Sequence, residues 1–161
     1  QNTQSPNYTV TFTKQNKSET VTLSGGQLDI KATKNTIIDQ PENVFAIDAG
    51  FHYVILSNFD RLMAMKPVDF DFLSAGRASF IGMTIRPIQQ DESSLTLELV
   101  LDNFVLSRLI APIELVYDIQ TQKLQRYTGL TNVPSDSGKL FKANIIYDYP
   151  DSLSFARLQV K

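Results

Sequence analysis

The stretch that most constrains this chain is Val116 to Pro150, VYDIQTQKLQRYTGLTNVPSDSGKLFKANIIYDYP. Apolar residues alternate with polar ones at Ile113, Leu115 and Tyr117. They do so again from Leu124 to Tyr127 and from Leu140 to Tyr147, with polar turns at Gln120-Thr121-Gln122 and Ser135 to Gly138. Alternation with a period of two places successive side chains on opposite faces of a strand, and short polar breaks reverse the chain. The segment therefore predicts an antiparallel meander. It sets a fold class and carries no chemistry of its own.

The same period governs most of the remaining chain. Tyr8, Val10 and Phe12 alternate with threonines, Val21 and Leu23 precede Ser24-Gly25-Gly26, and Leu28, Ile30 and Ala32 follow it. Three antiparallel strands are expected there, with a glycine hairpin between the last two. From Phe51 the spacing changes. Phe51, Val54, Ile55, Phe59, Leu62 and Met63 fall on one side of a helix, Asp48 is placed as its N-cap, and Pro67 ends it after Lys66. Strand alternation returns at Val68, Phe70 and Phe72, then over Phe80 to Ile85 and Leu95 to Leu101, with a last strand over Leu153 to Val160. Asn103 to Ile110 fits neither period and reads as a helical turn or a bulged strand. With no alternation of strand and helix, the expectation is a mainly β, α+β single domain over residues 1–161. It is a curved, mainly antiparallel sheet or partly closed barrel with one long helix packed on it.

Composition excludes several functions. Fifteen Lys and Arg stand against 17 Asp and Glu, and the basic residues are scattered, which argues against a nucleic-acid partner. The chain has no cysteine, hence no disulfide, thiolate metal site or cysteine nucleophile. No cofactor or metal motif is present in the sequence, and no apolar run approaches the ~18 residues of a membrane span. The sequence opens QNTQSP without an initiator Met, consistent with a processed mature form or a trimmed one. Asn7-Tyr8-Thr9 and Asn16-Lys17-Ser18 are glycosylation triplets that matter only in a source with that machinery.

The segments IDAGFHYVILSNFDRLMAMKPVDFDFL (47 to 73), LVLDNF (99 to 104), YDIQTQKLQRYTGLTNV (117 to 133), Gly138 and IIYDY (145 to 149) together resemble an uncharacterised family of exported proteins of Gram-negative bacteria. The resemblance spans about two thirds of the chain. It implies a periplasmic or otherwise exported protein whose signal peptide is removed, and N-terminal strands ahead of Gln1 in the full-length form. It implies no activity, and no residue roles carry over from it.

The residues themselves offer few sites. Asp69 and Asp71 project on the same strand face about 6.7 Å apart at ~3.3 Å per residue, near the spacing of paired glycosidase carboxylates and equally that of a solvated strand face. His52, the only histidine, lies beside the apolar stripe of the helix, where a catalytic role needs a partner brought to it by the fold. Gly25-Gly26 reads as a turn rather than a phosphate cradle. Tyr117-Asp118 and Tyr147-Asp148 read as strand ends with their phenols toward water. A saccharide rim of Tyr127, Tyr147 and Tyr149 is the functional alternative.

The apolar inventory carries more. A long helix across a curved sheet either fills the concavity or leaves a cleft lined by Phe51, Ile55, Phe59, Phe70 and Phe72, suited to a lipid or another apolar small molecule. The sequence thus supports two readings. One is a non-enzymatic envelope protein that binds an apolar or amphipathic ligand, or a protein partner, on its curved sheet. The other is a hydrolase or isomerase in which Asp69, Asp71 and His52 converge.

Overall fold

The structure, a computed structural model, describes residues 7–12, 17–32, 34–103, 110–134 and 140–149. The expected turn at Ser135 to Gly138, the strand at Leu153 to Val160 and nearly all of the ambiguous segment after Asn103 lie outside the described residues.

Two sheets form instead of one. The first holds β1 (Asn7–Phe12), β2 (Lys17–Ser24), β3 (Gln27–Lys31) and β4 (Asn35–Asp39), each antiparallel to the next. Gly25 and Gly26 sit at φ 57° and 79°, the two left-handed positions that a two-residue hairpin compatible with strand twist requires. The second sheet runs β11-β10-β9-β8-β7-β6-β5. Its strands are β5 (Phe45–Ile47), β6 (Val68–Ser74), β7 (Ser79–Gln90), β8 (Ser94–Leu101), β9 (Ile113–Asp118), β10 (Leu124–Pro134) and β11 (Leu140–Ile146). Every pairing is antiparallel except β5 with β6, so an edge strand–helix–strand crossover exists that alternation alone did not foresee. The order ends on β11 and β5, which do not pair, so no barrel closes among the described residues.

The expected single helix over Asp48 to Lys66 is three shorter pieces. A 3-10 turn covers Asp48–Gly50, α1 covers Phe51–Ser57 and α2 covers Phe59–Met63. Asn58 makes the break. Its side-chain amide donates to the Val54 carbonyl at 2.9 Å, the acceptor its own backbone N–H would take in a continuous helix, and that N–H turns to Ile55 instead. Asp48 is not an N-cap. It has φ 49°, and no side-chain cap bond forms at the turn. At the other end Met65 is left-handed at φ 55°, and Lys66 N–H reaches back to the Arg61 carbonyl, closing the helix ahead of Pro67.

Register explains the layers. Val68 and Phe70 of β6, Met83 and Ile85 of β7, Leu95, Leu97 and Leu99 of β8, and Leu115 and Tyr117 of β9 share one face. Val54, Ile55, Phe59 and Leu62 cover that face, forming the main core. Among the described residues the other face is covered at one corner. Phe45, Ile47, Leu73 and Phe80 point away from the helices and meet Val21, Leu28 and Ile30 of the first sheet.

Candidate functional site

Of the five residues expected to line a cleft, Ile55, Phe59 and Phe70 are buried in the main core, and Phe51 and Phe72 are partly buried against it. The broken helix lies directly on the sheet there. Phe59 meets the Tyr117 ring edge-on at 6.2 Å.

His52 is engaged in the same place. Its Nδ1 lies 2.8 Å from the Tyr117 hydroxyl, with the two rings stacked at 5.6 Å between centroids. Burial, with Tyr149 and Tyr147 nearby, pushes the Tyr117 phenol up, so it stays protonated; burial also holds the His52 imidazole below the ordinary histidine value. A neutral phenol and a neutral imidazole therefore share this hydrogen bond, its direction set by the imidazole tautomer. Tyr117 is fully buried rather than leaving its hydroxyl in water, and the imidazole is the partner that makes this burial tolerable.

Asp69 and Asp71 lie elsewhere. They alternate with Val68 and Phe70, so they project from the face opposite the helices, and His52 does not share a site with them. Thr84, the one buried polar side chain among the described residues, holds its hydroxyl 2.8 Å from Asp69 and 2.6 Å from Asp102, its single proton serving one carboxylate at a time. Asp71 accepts from the Asn43 amide at 3.2 Å. These contacts tie neighbouring strands β6, β7 and the end of β8 together.

The tyrosines of the expected saccharide rim are partly committed. The Tyr127 hydroxyl donates to the Leu130 carbonyl and the Tyr149 hydroxyl to the Leu124 carbonyl, with Lys123 Nζ 4.9 Å over the Tyr149 ring. Asp118 does begin a turn as expected: its carboxylate accepts from Thr121 N–H at 2.7 Å, and these bonds lower its pKa.

Two features stand out that sequence alone did not single out. The first is β11. Among the described residues, five of the 11 exposed large hydrophobics, Phe141, Ile145, Ile146, Tyr147 and Tyr149, fall on or directly after this strand, with Ile146 76% exposed. Ile145 lies on the helix-side face opposite Tyr127, Phe141 shares that face by alternation with Ala143, which is opposite Gly129, and Ile146 lies on the other face opposite Arg126. Neither core cluster includes a residue of β11, and among the described residues no strand pairs with its outer edge. Alternation marked this strand, yet alternation cannot tell a covered sheet face from a bare one.

The second feature is a pair of open depressions. One, of about 300 Å³, lies along α2 beside Asn58, Asp60 and Gln122. The other, of about 330 Å³, opens where the two sheets meet, with Tyr8, Asp48 and Arg77 among its lining. Asp48 is half-buried there, its carboxyl raised by burial while the Tyr8 hydroxyl donates to it. No protein family, curated protein or solved structure matches the chain, so function is read from its own geometry.

Proposed function

We propose that this chain is a non-enzymatic binding protein of the bacterial envelope whose working surface is the β11 end of the seven-stranded sheet, and that its ligand is an extended segment of a protein partner. The observation that carries this reading is the concentration of exposed apolar side chains on one edge strand. Single exposed hydrophobics are ordinary on any surface, whereas Phe141 and Ile145 stand together on the helix-side face of one edge strand, with Ile146 on its other face, and such grouping marks an interaction site. An edge strand also offers backbone donors and acceptors, so an incoming segment gains ladder hydrogen bonds from the edge and specificity from the side chains. A lipid ligand between helix and sheet is less well supported, because Ile55, Phe59 and Phe70 are core. The envelope assignment is proposed on the resemblance of the quoted sequence segments to exported proteins, and the separation of His52 from Asp69 and Asp71 favours binding over hydrolysis.

The test is a displayed library of random peptides selected on the chain. Peptides alternating apolar and polar residues are expected. Their affinity should fall about tenfold or more in Phe141→Ser and Ile146→Lys, with Tm unchanged, as for central residues of a peptide interface. Selected peptides that bind both variants as tightly as the wild type would contradict the reading.

A further inference from the structure

The chain continues along β10 beyond the last ladder residue of β11. Tyr147 N–H donates to the Gln125 carbonyl and the Tyr149 hydroxyl donates to the Leu124 carbonyl at 2.9 Å, so the segment keeps to its neighbour as far as Tyr149. By alternation Lys142, Asn144, Ile146 and Asp148 share one face, and Phe141, Ala143, Ile145 and Tyr147 share the other. All of these but Ala143 are exposed. Because the Tyr147 N–H turns inward to β10, the N–H groups of Lys142, Asn144 and Ile146 point to the outer edge, where among the described residues no strand pairs.

The order of charges along this edge bears on what it takes. A strand that pairs antiparallel with a copy of itself across a two-fold axis sets each residue opposite the one equally far beyond the axis. With the axis at Ala143, Lys142 faces Asn144 of the second copy; with the axis at Asn144, it faces Ile146. With the axis at Ile145, Lys142 faces Asp148 of the second copy, and Asp148 faces its Lys142. Both ends of the pairing then carry opposite charges. The same register sets Asn144 opposite Ile146, two residues whose N–H groups point outward, so the hydrogen-bonded ladder forms in step with the charge pairs. On the helix-side face it sets the small Ala143 opposite the large Tyr147, and Ile145 opposite itself. The two Lys142 side chains lie six positions apart along the paired strands, about 20 Å at ~3.3 Å per residue, so their repulsion is weak. A lysine alone on an edge guards against pairing with a copy, whereas a lysine and an aspartate placed symmetrically about an apolar centre make the edge complementary to itself.

We propose that the partner segment of the β11 edge is β11 of a second copy of this chain, joined antiparallel across a two-fold axis at Ile145. The long sheet then continues from one subunit into the other. This rests on the β11 edge as the binding surface and names the segment it takes.

The experiment is sedimentation velocity of the full chain from about 10 µM to about 1 mM, with amide NMR at the upper end. One strand on one strand is a small interface, so half-association is expected at about 100 µM or above, and the chain at low micromolar concentration leaves the edge free. The amides that shift on association should be those of Lys142 to Asp148. Lys142→Glu and Asp148→Lys each set like charges opposite one another twice per dimer, and each is expected to weaken self-association about tenfold. Mixed in equal amounts, the two variants restore both charge pairs, so the mixture should associate as tightly as the wild type. A chain monomeric up to about 1 mM would overturn the proposal, as would association that shifts only amides outside β11, or a mixture no tighter than its components. If the chain stays monomeric while selected peptides still protect Lys142, Asn144 and Ile146, only the second copy is removed and the edge stands as the binding surface. If peptide binding is also absent, both readings fall.

Discussion

His52 and Tyr117 hold each other across 65 positions of chain, and the pair shows what a lone histidine does in this molecule. Removing the imidazole takes away the hydrogen-bond and stacking partner of a buried phenol, so His52→Ala is expected to cost about 1–3 kcal/mol by chemical denaturation. The sign of the pH effect follows from the lowered imidazole. The unfolded chain, with a histidine near 6.5, takes up the proton first. Stability from this pair is therefore full above that value and declines as pH falls from there toward the lower folded value. In His52→Gln this part of the pH profile should vanish; an unchanged profile would mean the imidazole is solvated. Phe59, buried and edge-on to Tyr117, should cost about 3–5 kcal/mol as Phe59→Ala. The stripe Phe51, Val54, Ile55, Phe59 and Leu62 was legible because helical spacing reports burial directly. The Tyr117 partnership and the position of Asp48 were not, since a local acid before an apolar run looks like a cap whichever way its backbone turns.

At the scale of elements, alternation located β1 to β3 and β6 to β11, and missed β4 and β5. Asn35–Asp39 has no fully buried position, so its apolar residues lack the contrast that marks a strand. Phe45–Ile47 is three residues long and gains its place only by parallel pairing with β6, a tertiary contact with no local signature. The helix was read as continuous because Asn58 falls off the apolar stripe, where its competition for the Val54 carbonyl leaves no trace in periodicity. Two glycines distinguish packing from mere exposure. A Cβ on Gly129 would stand 2.9 Å from Ile113 Cγ1 and 3.1 Å from its backbone Cα, so Gly129→Ala should cost about 1–3 kcal/mol and loosen the β9–β10 pairing. On Gly82 the nearest atom is Asp102 Oδ2 at 2.8 Å, a side-chain end that can give way at the expense of its contact with Thr84, whose hydroxyl keeps Asp69 as acceptor. Gly82→Ala should therefore be milder, and equal losses of Tm in the two variants would contradict this distinction.

The whole molecule is asymmetric about its long sheet. Helices cover one face from β6 to β9, the first sheet covers the other face near β5 to β7, and among the described residues β11 is left with neither. The proposed partner segment therefore belongs at one end of the sheet. Tyr147 N–H bonds the Gln125 carbonyl, so by the alternation of an antiparallel ladder the N–H groups of Lys142, Asn144 and Ile146 point to the outer edge. Amide hydrogen exchange reads those three positions directly. They should exchange fast in the free chain and become protected when a selected peptide is bound, while the amides of α1 stay as they were. Protection of all three already in the free chain, or their continued fast exchange with peptide bound, would contradict the assignment of the β11 edge as the binding surface.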